Sequence, residues 1–197
     1  WSKGSKEIFY LDDLIIDFRI QEVQKAGAVF DSAKLDWINN HHLAALSFDA
    51  FNERLAPFLD SVGIDVTQKK NSHEIIAALR SSKPTLLGVA RDLIPYFSEV
   101  QAYDEKAANK FLIGSEAVLE FVQRKLNGLE IWNEESIDHV LKEAQTKLSL
   151  PTPKLNQPIR IAMTGSTQSP SLGLTLSLFD SVEVNNRIDA ALKYLAN

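Results

Sequence analysis

Along most of this chain apolar side chains return every third or fourth residue, the spacing that lines one face of an α-helix. Ile137, Val140, Leu141, Ala144 and Leu148 make one such stripe, with Asp138, Lys142, Glu143 and Lys147 mostly on the other side and Ser136 in front as the N-cap. The grammar recurs twice. Ser115 precedes Val118, Leu119, Val122 and Leu126 with Gly128 as the stop, and Ser47 precedes Phe51, Leu55, Phe58 and Leu59 with Gly63 as the stop. Asn71 or Ser72 caps Ile75, Ile76 and Leu79. Further helices are predicted over 11–18, 32–45, 85–101, 104–112, 157–164, 171–179 and 182–195.

Strand signals are weak: Val62 to Val66 is short, and no alternating run is paired by a two-residue turn of the Asn-Gly kind. The expected fold is all-α, an irregular multi-helix array in two subdomains, because no fixed-period repeat suggests a regular solenoid. Ser149 to Gln157 reads as a linker, since Pro151, Pro153 and Pro158 each fix φ and remove an amide donor. A softer boundary falls near Asp65 to Asn71, where composition turns from acidic to basic. The expected organisation is a helical connector over 1–68, a helical body over 69–150, and a small helical subdomain over 151–197. A subdomain that small buries little by itself and should dock on the body.

Composition narrows the function classes. Of 197 residues 45% are hydrophobic and 24% charged, the make-up of an ordinary globular protein rather than a disordered one. No apolar run reaches the ~18 residues of a membrane span, and Trp1 to Lys6 lack the charged-then-apolar order of a signal peptide, so a cytoplasmic protein is expected, with no membrane partner. Cysteine is absent, which removes disulfides and Cys-based zinc sites. The net charge of −5 argues against a phosphate backbone as partner, because such affinity comes from Lys and Arg displacing counterions. The distribution softens that objection: residues 66–98 hold five basic and two acidic groups, and 151–197 hold four and three. Brought together, these stretches would make a modest positive face; the plainer reading is chance over short windows.

Enzyme chemistry is hard to find. The Gly4-Ser5 and Thr164-Gly165 pairs lack the Gly-x4-Gly-Lys surroundings of a phosphate loop, so no ATP site is assigned. Adjacent His41 and His42 diverge by roughly a hundred degrees on a helix, which suits one packed and one exposed imidazole better than a metal pair. Asp12-Asp13 and Glu134-Glu135 read as favourable charge near helix N-termini. No catalytic nucleophile with a base and no metal site emerges. What stands out is the tail, where Arg160 is followed by a Gly stop and then by Ser166, Thr167, Gln168, Ser169, Pro170 and Leu172. Hydroxyl and amide groups beside an arginine and an apolar platform can receive a splayed RNA base. A Gly-capped turn with Arg160 merely exposed would have the same composition.

Two motifs carry a family resemblance. The run Ala28-Val29-Phe30-Asp31-Ser32-Ala33-Lys34-Leu35-Asp36-Trp37-Ile38-Asn39-Asn40 resembles the AVFD-x-x-KLxWxN signature that follows the catalytic half of bacterial glutamyl-tRNA synthetases. Gln157-Pro158-Ile159-Arg160 through Thr164-Gly165 and Ser169-Pro170 is similar to the same family's C-terminal PxRxAxTG…SP element. The motifs occur in order at suitable separation, and the resemblance spans essentially the whole chain.

The resemblance implies the C-terminal anticodon-binding part of a class I aminoacyl-tRNA synthetase, with 1–68 containing the start of that region. Its members charge tRNA with glutamate using ATP and magnesium, through an N-terminal domain with HIGH-type and KMSK-type motifs. Neither motif is present: Ser2-Lys3-Gly4-Ser5-Lys6 is a poor match to the KMSK loop and reads as a surface loop. The chain is therefore expected to be a piece of such a ligase, inactive alone and without a cofactor of its own, partnered by tRNA and by the catalytic domain, and monomeric. By the same resemblance Arg160 matches a base-contacting arginine, while Ser169, Pro170 and Leu172 match a loop that packs on the last anticodon base; Thr164, Ser166, Thr167 and Gln168 complete that loop. An arginine that the family often places two residues before the Thr-Leu pair is missing before Thr85-Leu86, where Ser82 or Lys83 stands, leaving Arg80 or Lys83 to supply charge without the same fork. Gly173 falls where an apolar or aromatic side chain is common. Lys69, Lys70 and Lys83 are the expected phosphate contacts. The competing reading is an all-helical protein-interaction scaffold without RNA binding.

Overall fold

The computed structural model describes residues 1, 3–25, 27 and 29–196, so Ser2 of the N-terminal loop and Ala28 of the first motif lie outside the described residues. All regular elements among them are helical: α1 (Leu11–Asp17), α2 (Ser32–Ala44), α3 (Phe48–Ser61), α4 (Ser72–Leu79), α5 (Leu86–Phe97), α6 (Glu105–Ala107), α7 (Glu116–Leu126), α8 (Glu134–Leu148), α9 (Thr152–Thr164), α10 (Leu172–Ser177) and α11 (Ser181–Leu195). A π-helical turn, Ala108–Leu112, continues α6. The single β-type pairing described is an isolated bridge between Lys3 and Lys6. The all-α expectation holds, and Val62 to Val66 forms no strand.

Side-chain caps set most of the helix starts. Asp31, Ser47, Thr85, Asp104, Asn133, Ser171 and Asp180 each accept a backbone amide of the first turn that has no partner inside its own helix. Three expectations need correcting here. The cap of α8 is Asn133, which accepts from the Ser136 amide at 2.8 Å, so Ser136 lies inside the first turn. Asn71 does precede α4, but its side chain donates to the Leu178 carbonyl at 2.9 Å and ties α4 to the tail instead of capping. Ser115 is buried and donates to Leu112, closing the π-turn behind it.

The expected linker is largely helix. Only Ser149 to Pro151 separate α8 from α9; Ser149 sits at φ 52°, and α9 begins at Thr152. Pro153 falls in the first turn, where no amide partner is required, and Pro158 is carried inside the helix. The 85–101 helix is also shorter than expected. It ends at Phe97, and residues 98–104 run without regular structure into α6.

One contiguous apolar cluster reaches from Leu43 to Ala191 and takes side chains from α2 to α11, including Leu155, Ile159 and Met163 of α9 and Val184 and Ile188 of α11. In it α3 packs on α5, α7 on α8, α10 on α8, and α9 on both α11 and the π-turn. Phe179, between α10 and α11, stacks on Tyr96 of α5 with ring centres 5.0 Å apart and planes 5° off parallel. The Arg187 guanidinium and the Lys69 ammonium lie over the Phe179 ring at 4.5 and 5.2 Å. Arg187 is 8% exposed and donates to the Met163 carbonyl at 2.5 Å, the Ser98 carbonyl at 2.9 Å and Glu183 at 2.8 Å. Those bonds join the ends of α9 and α5 to α11.

The N-terminal segment is packed differently. No residue of α1 is buried, and Leu11, Ile15 and Ile16 are 71%, 69% and 68% exposed. Lys3 and Lys6 pair with Asp17 and Asp13, holding the first turn of chain against α1. Trp1 meets Phe9 and Phe18, and Tyr10 meets the half-buried His42, while His41 is exposed.

Gly165 ends α9 at φ +75°, and a Cβ on it would meet the Ala102 carbonyl oxygen at 3.0 Å and Val100 Cγ1 at 3.1 Å. Gly165→Ala adds both left-handed strain and contact with backbone, and should lower the unfolding free energy by at least ~1–2 kcal/mol. Urea denaturation followed by circular dichroism measures it; an unmoved midpoint would show that the turn relaxes freely.

Candidate functional site

The main cleft, about 640 Å³, lies where four pieces of chain converge. One wall is the α4–α5 turn at Ser81 to Lys83; a second is the face of α5 carrying Arg91, Asp92 and Pro95. The connecting stretch Ser98 to Ala102 and the loop after α9, with Ser166, Gln168, Ser169 and Pro170, complete it. Its size falls in the ~300–1,000 Å³ range of sites that enclose a small molecule or one nucleoside.

Each wall has a local cause. Thr85 caps α5 by accepting the Gly88 amide at 3.1 Å. A Cβ on Gly88 would lie 2.7 Å from Lys83 Cβ, so glycine there lets the turn lie flat on the helix. The Asn39 side chain donates to the Pro84 carbonyl and secures the turn from α2. On the opposite wall the Gly165 carbonyl accepts the Asp104 amide at 2.8 Å, the Thr164 hydroxyl donates to the Arg160 carbonyl at 2.9 Å, and the Ser166 hydroxyl accepts the Gln168 amide at 3.3 Å. Lys83 Nζ spans the gap, donating to Gln168 Oε1 at 2.7 Å, with Asp92 3.7 Å away on its other side.

Charge in the cleft is mixed. Lys83 and the exposed Arg91 face Asp92 and the exposed Glu99. Tyr96 is 1% exposed, and burial pushes its hydroxyl up to about 12, with the nearby Thr175 hydroxyl acting in the opposite sense.

The expected site residues divide into two sets. Thr164, Ser166, Gln168, Ser169, Pro170 and Lys83 line the cleft together. Lys69, Lys70 and Arg80 do not line it. Lys69 is bonded to Glu183 at 2.5 Å, Lys70 is exposed, and Arg80 lies over Phe51 while Nη2 donates to the carbonyls of Leu43, Ala44 and Leu46 at the end of α2. Arg160 turns inward. Its Nη1 donates to the Ser169 carbonyl at 2.7 Å, the Ser169 hydroxyl at 2.5 Å and the Pro170 carbonyl at 2.8 Å, and burial lowers its pKa from the ordinary guanidinium range. Leu172 is 4% exposed and packs in the core, and Thr167 is half-buried. Sequence reasoning did not single out Arg91, Asp92, Tyr96 or the Ser98 to Ala102 wall. The helical spacing of Gly88, Arg91, Asp92 and Pro95 on one face of α5 was the available signal. Among the described residues no three His, Asp or Glu side chains are grouped as metal ligands would be.

The family model described as "Anticodon binding domain" matches residues 50–192. The glutamate–tRNA ligase 2 of Halorhodospira halophila is 32% identical over 196 residues, covering 99% of this chain and 42% of that protein. A glutamate–tRNA ligase 2 of Coxiella burnetii is 33% identical with the same coverage. The chain thus spans less than half the length of the curated relatives it matches. Among solved structures, a glutamate tRNA ligase of Elizabethkingia meningosepticum, crystallised in complex with its amino acid, superposes with a TM-score of 0.80 at 22% identity, over 96% of this chain and 38% of that one. The glutamate-tRNA synthetase of Elizabethkingia anophelis gives 0.78 at 23%, over 98% and 38%. These two similarities are of fold.

Two measurements test the geometry. Because the folded Tyr96 pKa lies above the unfolded value near 10, its contribution to stability is complete below about pH 10 and is lost as pH rises through about 12. Tyr96→Phe should therefore remove roughly 2–3 kcal/mol of alkaline destabilisation, seen as a flatter stability curve over that window. Separately, Arg160→Met should cost about 1–3 kcal/mol and speed hydrogen exchange at the Ser169 and Ser171 amides, since three loop acceptors lose a charged donor. Unchanged exchange there would mean the loop holds its shape without Arg160.

Proposed function

The chain belongs to the anticodon-binding domain family, and from that premise we propose that it grips the anticodon stem-loop of a tRNA as the C-terminal portion of a glutamate–tRNA ligase. The observation that carries this is the meeting of Lys83 with Gln168, which brings the basic 66–98 stretch and the hydroxyl-rich tail loop onto one nucleoside-sized cleft. Lys83 and Arg91, with Lys70 farther out, take phosphates; the polar loop takes unstacked bases; Pro170 offers an apolar surface beside them. Specificity then comes from shape and hydrogen bonding, because a chain of net charge −5 contributes little general attraction.

The rest of that ligase would precede this chain and carry out the chemistry, joining glutamate to the tRNA with ATP and magnesium, in a cytoplasmic and monomeric enzyme. The chain alone would not aminoacylate. The apolar side chains that the N-terminal segment leaves in water, Leu11, Ile15, Ile16 and Ile20 among them, support a catalytic domain seated against it. No helix among the described residues is long and apolar enough to cross a membrane.

The scaffold reading draws on one observation: Lys69, Arg80, Arg160 and Arg187 each place donors on other parts of the chain. One titration separates the two. The 197-residue chain should bind a labelled glutamate-type anticodon hairpin at least ~5-fold more tightly than the same hairpin with its loop bases replaced, the worth of one net hydrogen bond. With about three phosphate contacts, the logarithm of affinity should fall with log salt at a slope near −2. Equal, negligible affinity for both hairpins at low salt would favour the scaffold.

A further inference from the structure

Resting on the anticodon reading, we infer that Gln168 reads one unpaired base and that Lys83 fixes which edge of its amide is shown to that base. A carboxamide is an ambiguous reader, because its oxygen and nitrogen ends have nearly the same shape and exchange places by a half-turn. Lys83 removes the ambiguity. An ammonium only donates, so the end of Gln168 it touches, at 2.7 Å, is the oxygen. The Nε2 end, with two donors and no hydrogen bond among the described residues, remains available on an exposed residue that lines the cleft. Lys83 is steadied from behind by Asp92 at 3.7 Å. The backbone of Gln168 is held at both N–H and C=O by the Ser166 hydroxyl, each at 3.3 Å, and the next two residues are clamped by Arg160. A donor edge is thus presented with little left to order when a guest arrives.

The alternatives nearby are already engaged. Arg160 Nη1 is committed to the loop, the Thr164 hydroxyl to the Arg160 carbonyl, and Leu172 to the core. A fixed pair of donors favours a base with a keto oxygen at the contacted position, uracil O4 or guanine O6. It disfavours an exocyclic amine, cytosine N4 or adenine N6, since two facing donors leave both unsatisfied. Gln168 is therefore a keto-selecting residue for one position of the loop.

Two substitutions separate this from generic RNA affinity. Gln168→Glu preserves length and the Lys83 contact but shows an acceptor where the donor was. Lys83→Met frees the amide to turn over. Each protein is titrated by fluorescence anisotropy with hairpin RNAs that carry each of the four bases at each loop position in turn. In the unsubstituted chain one position should prefer U and G over C and A by ~5–10-fold, as expected for a made against an opposed hydrogen bond. Gln168→Glu should reverse that preference at the same position. Lys83→Met should weaken every hairpin and shrink the preference to less than about 2-fold, because either amide end is then available. If the unsubstituted chain discriminates and all three proteins rank the bases alike, the assignment to Gln168 is overturned while the anticodon reading survives. If the unsubstituted chain binds none of the hairpins, both fall together.

Discussion

A buried guanidinium must find acceptors wherever the fold puts it, and Arg187 finds three on three different stretches of chain. Its bonds to Met163, Ser98 and Glu183 join the close of α9, the close of α5 and the first turn of α11. Removing any of these acceptors would leave a largely buried charge short of a partner. Phe179 beneath it, roofed by Arg187 and Lys69 and stacked on Tyr96, makes the same junction from apolar material. The cleft lies directly beyond this junction, bordered by Tyr96 and by the residues that follow Ser98. Its walls have a fixed relation because their roots meet in one compensated ion cluster.

That arrangement explains how a protein of net charge −5 can belong to a family that recognises nucleic acid. Most of the arginines in the relevant half are structural cement, closing helix ends and bracing turns where carbonyls would otherwise go unpaired. The cations left facing the cleft, Lys83 and Arg91, are few and sit beside carboxylates. Long-range attraction is correspondingly modest, and on the proposed reading recognition would depend on a pre-shaped surface more than on field strength.

Helical periodicity made the fold class and most of the helices legible from sequence, since an apolar stripe facing a core needs no knowledge of what it packs against. Boundaries were harder for identifiable reasons. Asn133 is as good a cap as Ser136, and Glu134 and Glu135 suit the first turn of a helix that begins earlier. The proline-rich stretch misled because Pro153 stands where no amide is needed, while the carbonyl that Pro158 leaves unpaired belongs to the exposed Lys154, where solvent serves it. The tail loop and the basic stretch were both identifiable as polar features. Their meeting was not, because Lys83 and Gln168 are 85 residues apart and nothing local encodes the contact. Nor does composition say whether an arginine looks outward: Arg160 and Arg80 were expected at a ligand, and the loop carbonyls beside one and the helix end beside the other claim them.

The connecting stretch after α5 gives the cleft one further property. It is anchored at Ser98 by the Arg187 bond and at Asp104 by the Gly165 carbonyl, with only the intervening residues to span the distance. Chain held at two points can span no more than ~3.3–3.6 Å per residue, which sets an upper bound on how far this edge can move outward. The aperture on that side thus has a ceiling set by covalent reach, over and above whatever the packed side chains allow.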